Sequence, residues 1–166
     1  MPLGRLVVAG KMRGEIPMST ACDNRCLERQ QMSLYGLRVL VVDDNADSLD
    51  LLAFILEEYG GKVIKALGAV EALEIIQHVN VHLLISDLVM PQVDGYDLIR
   101  RIRRLSPQQG GLIPAIALTA QVTEEARTLA LSSGFQSYLT KPFEPKSLVA
   151  LVAKLTLANS IATPMS

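Results

Sequence analysis

The rhythm of apolar and polar positions changes at residue 36. From there, short apolar runs rich in β-branched residues alternate with longer stretches whose apolar residues recur every three or four positions. The first run, Leu37-Arg38-Val39-Leu40-Val41-Val42, has the length and composition of a buried strand and ends on Asp43-Asp44. A helix is predicted over 46–59, capped at Asn45 or Asp47, with Leu52, Ile55, Leu56 and Tyr59 on one face and Gly60-Gly61 as its stop. The unit then repeats. Strands are predicted at 62–65, 82–86, 112–118 and 136–140, the fourth tolerating Pro114 near its start. Helices are predicted over 70–79 (Ala72, Leu73 and Ile76 inward), 96–105, 124–132 and 145–157, with Gly134 closing the fourth and Pro145 opening the fifth. Five strands alternating with five helices give an α/β fold, a doubly wound parallel sheet with right-handed crossovers.

Residues 1–35 show neither periodicity and are expected to be a poorly ordered extension, with translation starting at Met18 or Met32 rather than at residue 1. The domain is expected over 36–158. Residues 159–166 form a tail too short for an output domain. Apolar residues make up 49% of the chain and tryptophan is absent, which suits an aliphatic sheet covered on both faces. A net charge of −1 argues against a nucleic-acid binder. No apolar run approaches the ~20 residues of a membrane span, and Leu6-Val7-Val8-Ala9 is too weak for a signal peptide. These features predict a cytoplasmic protein with no membrane contact. Cys22 and Cys26 lack nearby metal-ligand partners in sequence and read as incidental reduced thiols.

Sheets of this class place their sites at the carboxyl ends of the strands. The polar residues at those ends are few: Asp43 and Asp44 after the first strand, Asp87 after the third, Thr119 after the fourth and Lys141 after the fifth. Three clustered carboxylates repel one another, and a hard divalent cation such as Mg²⁺ resolves the conflict. Lys141 can pair with a phosphate oxygen and Thr119 can donate a hydrogen bond to another. Phosphoryl transfer depends mainly on positioning and charge neutralisation, and a carboxylate can carry the group covalently, which makes Asp87 the candidate acceptor.

Four motifs then stand in order: Val41-Val42-Asp43-Asp44-Asn45, Asp87-Leu88-Val89-Met90-Pro91 with Asp94-Gly95, Leu118-Thr119-Ala120, and Lys141-Pro142-Phe143. Over about residues 37–157 they resemble the response-regulator receiver domain of two-component signalling, with wording closest to the receivers of hybrid histidine kinases. The resemblance implies a flavodoxin-like fold with strand order 2-1-3-4-5. It implies Mg²⁺ held by Asp43 or Asp44, by Asp87 and by the Val89 carbonyl, and phosphorylation at Asp87 from a phosphohistidine on a kinase or phosphotransfer protein. It also implies a switch in which Thr119 moves toward the phosphate and the ring of Tyr138 fills the space, a cis Lys141-Pro142 bond, and a phosphoryl lifetime tuned at Val89 and Gln121. The signal would pass to a downstream protein target, and the helix-strand-helix face near Tyr138 is open as a homodimer surface.

Asp43 and Asp44 on their own could simply favour a helix start, and Tyr138 could be a packed core aromatic. Leu51 and Phe54 fall off the apolar stripe of the first helix and, with Asn45, Pro142 and Phe143, make a candidate partner face. Arg100, Arg101, Arg103 and Arg104 read as a solvated helix face with local salt bridges. His78 and His82 lie away from the expected site edge. Two rival functions stay open. An aspartate-nucleophile phosphatase would need a substrate cap and usually an acid two places after Asp87, where Val89 stands. A degenerate receiver acting only as a docking module is opposed by the complete set of polar residues.

Overall fold

The computed structural model describes residues 33–162, with side chains to Leu157, so the expectations for Met18, Cys22, Cys26 and Met32 lie outside the described residues. Strands β1 (Arg38–Val42), β2 (Lys62–Ala66), β3 (Leu83–Asp87), β4 (Ala115–Thr119) and β5 (Ser137–Thr140) form one sheet in the order β2-β1-β3-β4-β5. Every neighbouring pair is parallel. Helices α1 (Ala46–Glu58), α2 (Ala69–His78), α3 (Gly95–Arg103), α4 (Glu124–Ser133) and α5 (Pro145–Ala162) follow the strands in turn. Both the fold class and the strand order agree with the expectation.

The central strands are apolar throughout because both faces are covered. Leu40, Val42, Leu84, Ala115 and Ala117 share one face, where they pack with Ala72 and Ile76 of α2, Leu98, Ile99 and Ile102 of α3, and Ala130 of α4. Their alternate neighbours, Val39, Val41, Leu83, Ile85, Ile116 and Leu118, are equally buried and point to the opposite face, on the side of the paired helices α1 and α5. The edge strands β2 and β5 are mostly half-buried or exposed. Asn45 resolves the cap of α1: its side-chain oxygen accepts from the N–H groups of Asp47 at 2.8 Å and Ser48 at 3.3 Å.

Several boundaries differ from expectation. The fourth strand begins at Ala115, not 112, because residues 107–113 first make a short 3-10 helix (Pro107–Gln109) and a turn through Gly110 in the left-handed region, at φ 99°. Pro114 still contributes its carbonyl, which accepts from Leu84 N–H at 2.9 Å. Helix α5 continues past 157 to Ala162, since no glycine or proline interrupts the chain before Pro164. Leu34, placed by its lack of periodicity in the extension, is fully buried against Gly61, and its N–H donates to the Tyr59 carbonyl at 2.8 Å.

The arginine cluster of α3 is not a uniformly solvated face. Arg101 pairs with Asp97 one turn earlier at 3.0 Å, as expected of such a face. Arg103 instead turns inward. Its guanidinium donates to the carbonyls of Gly134 (3.0 and 2.8 Å) and Gly111 (2.9 Å) and to Gln136 Oε1 (2.9 Å), tying α3 to the loops before β4 and β5. Burial lowers its pKa.

Candidate functional site

The register of the sheet assembles the site. Val42 pairs with Ser86, so Asp43 emerges level with Asp87. Asp87 pairs with Leu118 and Thr119 with Thr140, which brings Thr119 and Lys141 out at successive steps along the same edge. Lys141 N–H donates to the Thr119 carbonyl at 2.8 Å, fixing the last crossover. All five predicted polar residues therefore stand at the carboxyl ends of the strands they were assigned to.

Asp43 is almost fully buried and closely held. Its Oδ1 accepts from Asn45 N–H at 2.9 Å, and its Oδ2 faces Lys141 Nζ at 3.5 Å. Asp87 has looser partners: Lys141 Nζ at 3.8 Å and Val89 N–H at 3.4 Å, both on Oδ1. Asp44 is exposed. Oxygens from Asp43, Asp44 and Asp87 lie within 4.8 Å of one another, and they are the metal-ligand cluster found among the described residues. Burial raises the Asp87 pKa; Lys141 opposes the rise, the Asp43 charge adds to it, and the backbone N–H groups of Val89 and Leu88 oppose it. Among the described residues, one ammonium shared by two carboxylates leaves excess negative charge in a half-dry edge. An oxygen-ligand set of this kind suits a hard divalent cation.

The neighbouring chain positions these groups through its backbone. Asp94 caps α3 by accepting from Asp97 N–H at 2.8 Å, and Gly95 N–H donates to the Leu88 carbonyl at 3.0 Å, so the helix start is stitched to the strand end that carries Asp87. Side-chain room is absent at that seam. A Cβ on Gly95 would lie 2.4 Å from the Asp87 carbonyl oxygen. Ser86, buried next to Asp87, donates its hydroxyl to the Asp87 carbonyl at 2.9 Å.

Thr119 is fully buried, and its Oγ1 accepts from Gln121 N–H at 3.1 Å, which leaves the hydroxyl proton as a donor. The Tyr138 hydroxyl donates to the carbonyl of the same Gln121. One peptide segment thus joins the two predicted switch residues. The link runs through main-chain atoms, so no side-chain pattern announced it. The Lys141-Pro142 bond is cis.

Of the predicted partner face, Leu51, Pro142 and Phe143 come together. With Leu52 and Ile55 they line a cavity of about 260 Å³ that opens beside Asp43 and Lys141. Phe54 is exposed but not part of that lining, and the Asn45 side chain is engaged in capping α1. His82 sits at the opposite end of β3 and accepts from Arg38 N–H at 2.9 Å; the His78 ring bonds the Glu74 carbonyl at 2.8 Å. Both are away from the carboxylates, as expected. No helix among the described residues is long and apolar enough to cross a membrane.

Known proteins similar to this chain in sequence and fold are numerous. The response regulator receiver domain profile matches residues 39–153. A 14.6 kDa protein from the sodA1 3′ region of Leptolyngbya boryana is 48% identical over 126 residues, covering 76% of this chain and 95% of the relative. The sensor histidine kinase GacS of Pseudomonas protegens is 37% identical over 128 residues, but these are 76% of this chain and only 14% of the kinase. The solved receiver domain of the Francisella response regulator 1452 superposes with a TM-score of 0.69 at 31% identity, covering 75% of this chain and 99% of that one. Family profile, sequence relatives and fold agree with one another: the chain belongs to the response regulator receiver domains of two-component signalling.

Proposed function

We propose that this protein is a phosphoacceptor in a two-component relay and that Asp87 carries the phosphoryl group. An Asp87 carboxylate oxygen attacks phosphorus on a partner's phosphohistidine; the new O–P bond forms as the N–P bond breaks and the imidazole leaves with its electron pair. The observation that carries the reading is Lys141 Nζ standing 3.5 Å from Asp43 and 3.8 Å from Asp87 within a carboxylate cluster 4.8 Å across. That placement lets the ammonium follow the charge from the carboxylates to a phosphoryl oxygen.

The clustered donor set fits Mg²⁺, with Asp43, Asp44 and Asp87 as side-chain ligands and the Val89 carbonyl as the expected backbone ligand. When bound, Mg²⁺ supplies neutralisation of carboxylate and phosphoryl charge. Thr119 donates its hydroxyl to a second phosphoryl oxygen. As Thr119 shifts, it carries the Gln121 segment that Tyr138 also grips, so a small charge event at Asp87 reaches an aromatic at the surface.

The phosphodonor is a histidine kinase or histidine phosphotransfer protein, docking over the Leu51, Pro142 and Phe143 cavity, with the exposed Asn45 and Phe54 as further candidate contacts. Signal leaves through a downstream protein target or a homodimer formed on the Tyr138 face, and the setting is the cytoplasm. The test is incubation of the full chain with Mg²⁺ and acetyl phosphate, followed by intact mass and alkaline treatment. One base-labile phosphoryl group is expected on the wild type and none on Asp87→Asn. A label that survives in Asp87→Asn would sink the assignment. So would an unmodified wild type with acetyl phosphate and with phosphohistidine donors alike, and catalytic turnover of phosphoesters would point to a hydrolase instead.

A further inference from the structure

A second surface, apart from the Leu51 and Phe143 cavity, is unused by the reading above. It is a groove of about 500 Å³ between the loop after β2 and the loop after β3. Leu67 and Val70 stand on one wall; Met90, Pro91 and Val93 form the other. Leu67 is 55% exposed and Val70 59%, so the loop leading into α2 and the helix's first turn each present an aliphatic side chain to water. Packing of the fold does not require this: the inward face of α2 is already filled by Ala69, Ala72 and Ile76. Contiguous exposed apolar surface with a polar rim is a mark of association.

The rim says what kind of partner fits. Among the described residues its ionisable side chains are Glu71 and Glu74, both exposed, with no lysine, arginine or histidine in the lining. They sit at i and i+3 on α2, one above the other, where two like charges destabilise the helix slightly until a cation comes between them. Glu71 Oε1 accepts from Leu67 N–H at 3.3 Å, which holds that carboxylate at the mouth of the groove.

We propose that this groove binds a partner protein through a basic amphipathic segment, one or two apolar side chains entering between Val70 and Met90 while flanking lysine or arginine side chains meet Glu71 and Glu74. The recognition depends on apolar burial for affinity and on the two carboxylates for the choice of partner. It needs no phosphoryl group on Asp87, so it stands or falls separately from the function proposed above.

The test is residue-resolved NMR on the full unphosphorylated chain, titrated with a short amphipathic Leu/Lys peptide, with a Leu/Glu peptide of the same pattern and with a Ser/Lys peptide of the same charge. Expected are shifts concentrated at 67–74 and 90–93 with Leu/Lys alone, and affinity reduced on the order of tenfold in Glu71→Gln/Glu74→Gln, since exposed pairs contribute a few tenths to one kcal/mol each. The double variant replaces exposed side chains and keeps the fold, which its unshifted core resonances would verify. Four outcomes overturn the proposal: equal shifts with Leu/Glu; equal shifts with Ser/Lys; Leu/Lys shifts confined to Asp43, Asp44 and Asp87 or to the Phe143 cavity; or concentration-dependent shifts at the groove without peptide, which would make the occupant a second copy of the chain.

Discussion

Gly95 is the position where a single methyl group should damage both fold and site. Its alanine Cβ would lie 2.4 Å from the Asp87 carbonyl oxygen and 2.9 Å from Leu88 Cα, and both obstacles are backbone. No side-chain rotation can relieve them, so the start of α3 must separate from the end of β3, breaking the 3.0 Å bond from Gly95 N–H to the Leu88 carbonyl. Overpacking of this kind costs about 1–3 kcal/mol. The helix preference of alanine over glycine returns at most about 1 kcal/mol, and less at a first helical position. A net loss of about 1–2 kcal/mol in a domain of this size lowers Tm by about 4–8 °C. Asp87 moves with the strand end, and a displacement of that order slows phosphorylation by acetyl phosphate at least about tenfold. Gly68→Ser is the control. A Cβ there meets nothing within 4 Å, the residue caps α2 without a side-chain bond, and a serine should leave Tm unchanged or slightly raised. Thermal unfolding followed by circular dichroism, with phosphorylation read by intact mass, measures both effects. A Gly95→Ala protein that melts within about 2 °C of wild type and phosphorylates normally would refute the reasoning from close approach.

Three further outcomes are expected. In chelator, Asp87→Asn should melt above wild type at pH 7.5 and lose the advantage toward pH 4: a carboxylate whose folded pKa is raised, first by burial, binds protons more tightly when folded, so its contribution falls as pH rises; Mg²⁺ should stabilise the wild type far more than the variant, and a variant less stable at pH 7.5 would contradict the charge argument. Arg103→Leu should cost about 2–3 kcal/mol in urea unfolding, Arg103→Lys should recover little because an ammonium cannot span Gly111, Gly134 and Gln136, and Arg101→Ala should stay within about 0.5 kcal/mol. His82 accepts from Arg38 N–H and its pKa is lowered, mainly by burial and also by Arg38, so wild-type stability should drop as pH falls below the ordinary value of 6.5, and His82→Gln should remove that part of the pH dependence in a series of melts.

The sheet was legible because buried parallel strands must be apolar on both faces, so Val39 to Val42, Leu83 to Ile85 and Ala115 to Leu118 stand out from their surroundings. The same rule made the site legible: a charged or hydroxyl residue closing such a run marks a strand end. What escaped has no side-chain signature. Arg103 is held by carbonyls of Gly111 and Gly134, groups every residue carries. The one available clue was its place four residues after the buried Ile99, on the flank of the apolar stripe rather than opposite it. Leu34 was a single apolar residue without periodic company. The turn at 107–113 was hidden because Leu112 and Ile113 look like strand residues, although Leu112 is 67% exposed.

The sequence singles out Asp87 as the candidate acceptor and Asp43 as a candidate metal ligand, although both close buried strands. Their partners separate them. Asp43 spends one oxygen on Asn45 N–H at 2.9 Å and turns the other to Lys141, and it is only 2% exposed. A carboxylate held in that way is suited to stay put and hold an ion. Asp87 meets Val89 N–H at 3.4 Å and Lys141 Nζ at 3.8 Å, both on Oδ1, so its carboxylate is held less closely than that of Asp43. In the proposed transfer a lone pair of this carboxylate attacks phosphorus, and the acyl phosphate that forms carries its charge on the phosphoryl oxygens, which Lys141 and a bound cation would have to neutralise. Burial, which raises the Asp87 pKa, thus makes its ionised form a strain on the resting protein. Relieving that strain by any neutral substitution should stabilise the resting protein and end its chemistry together.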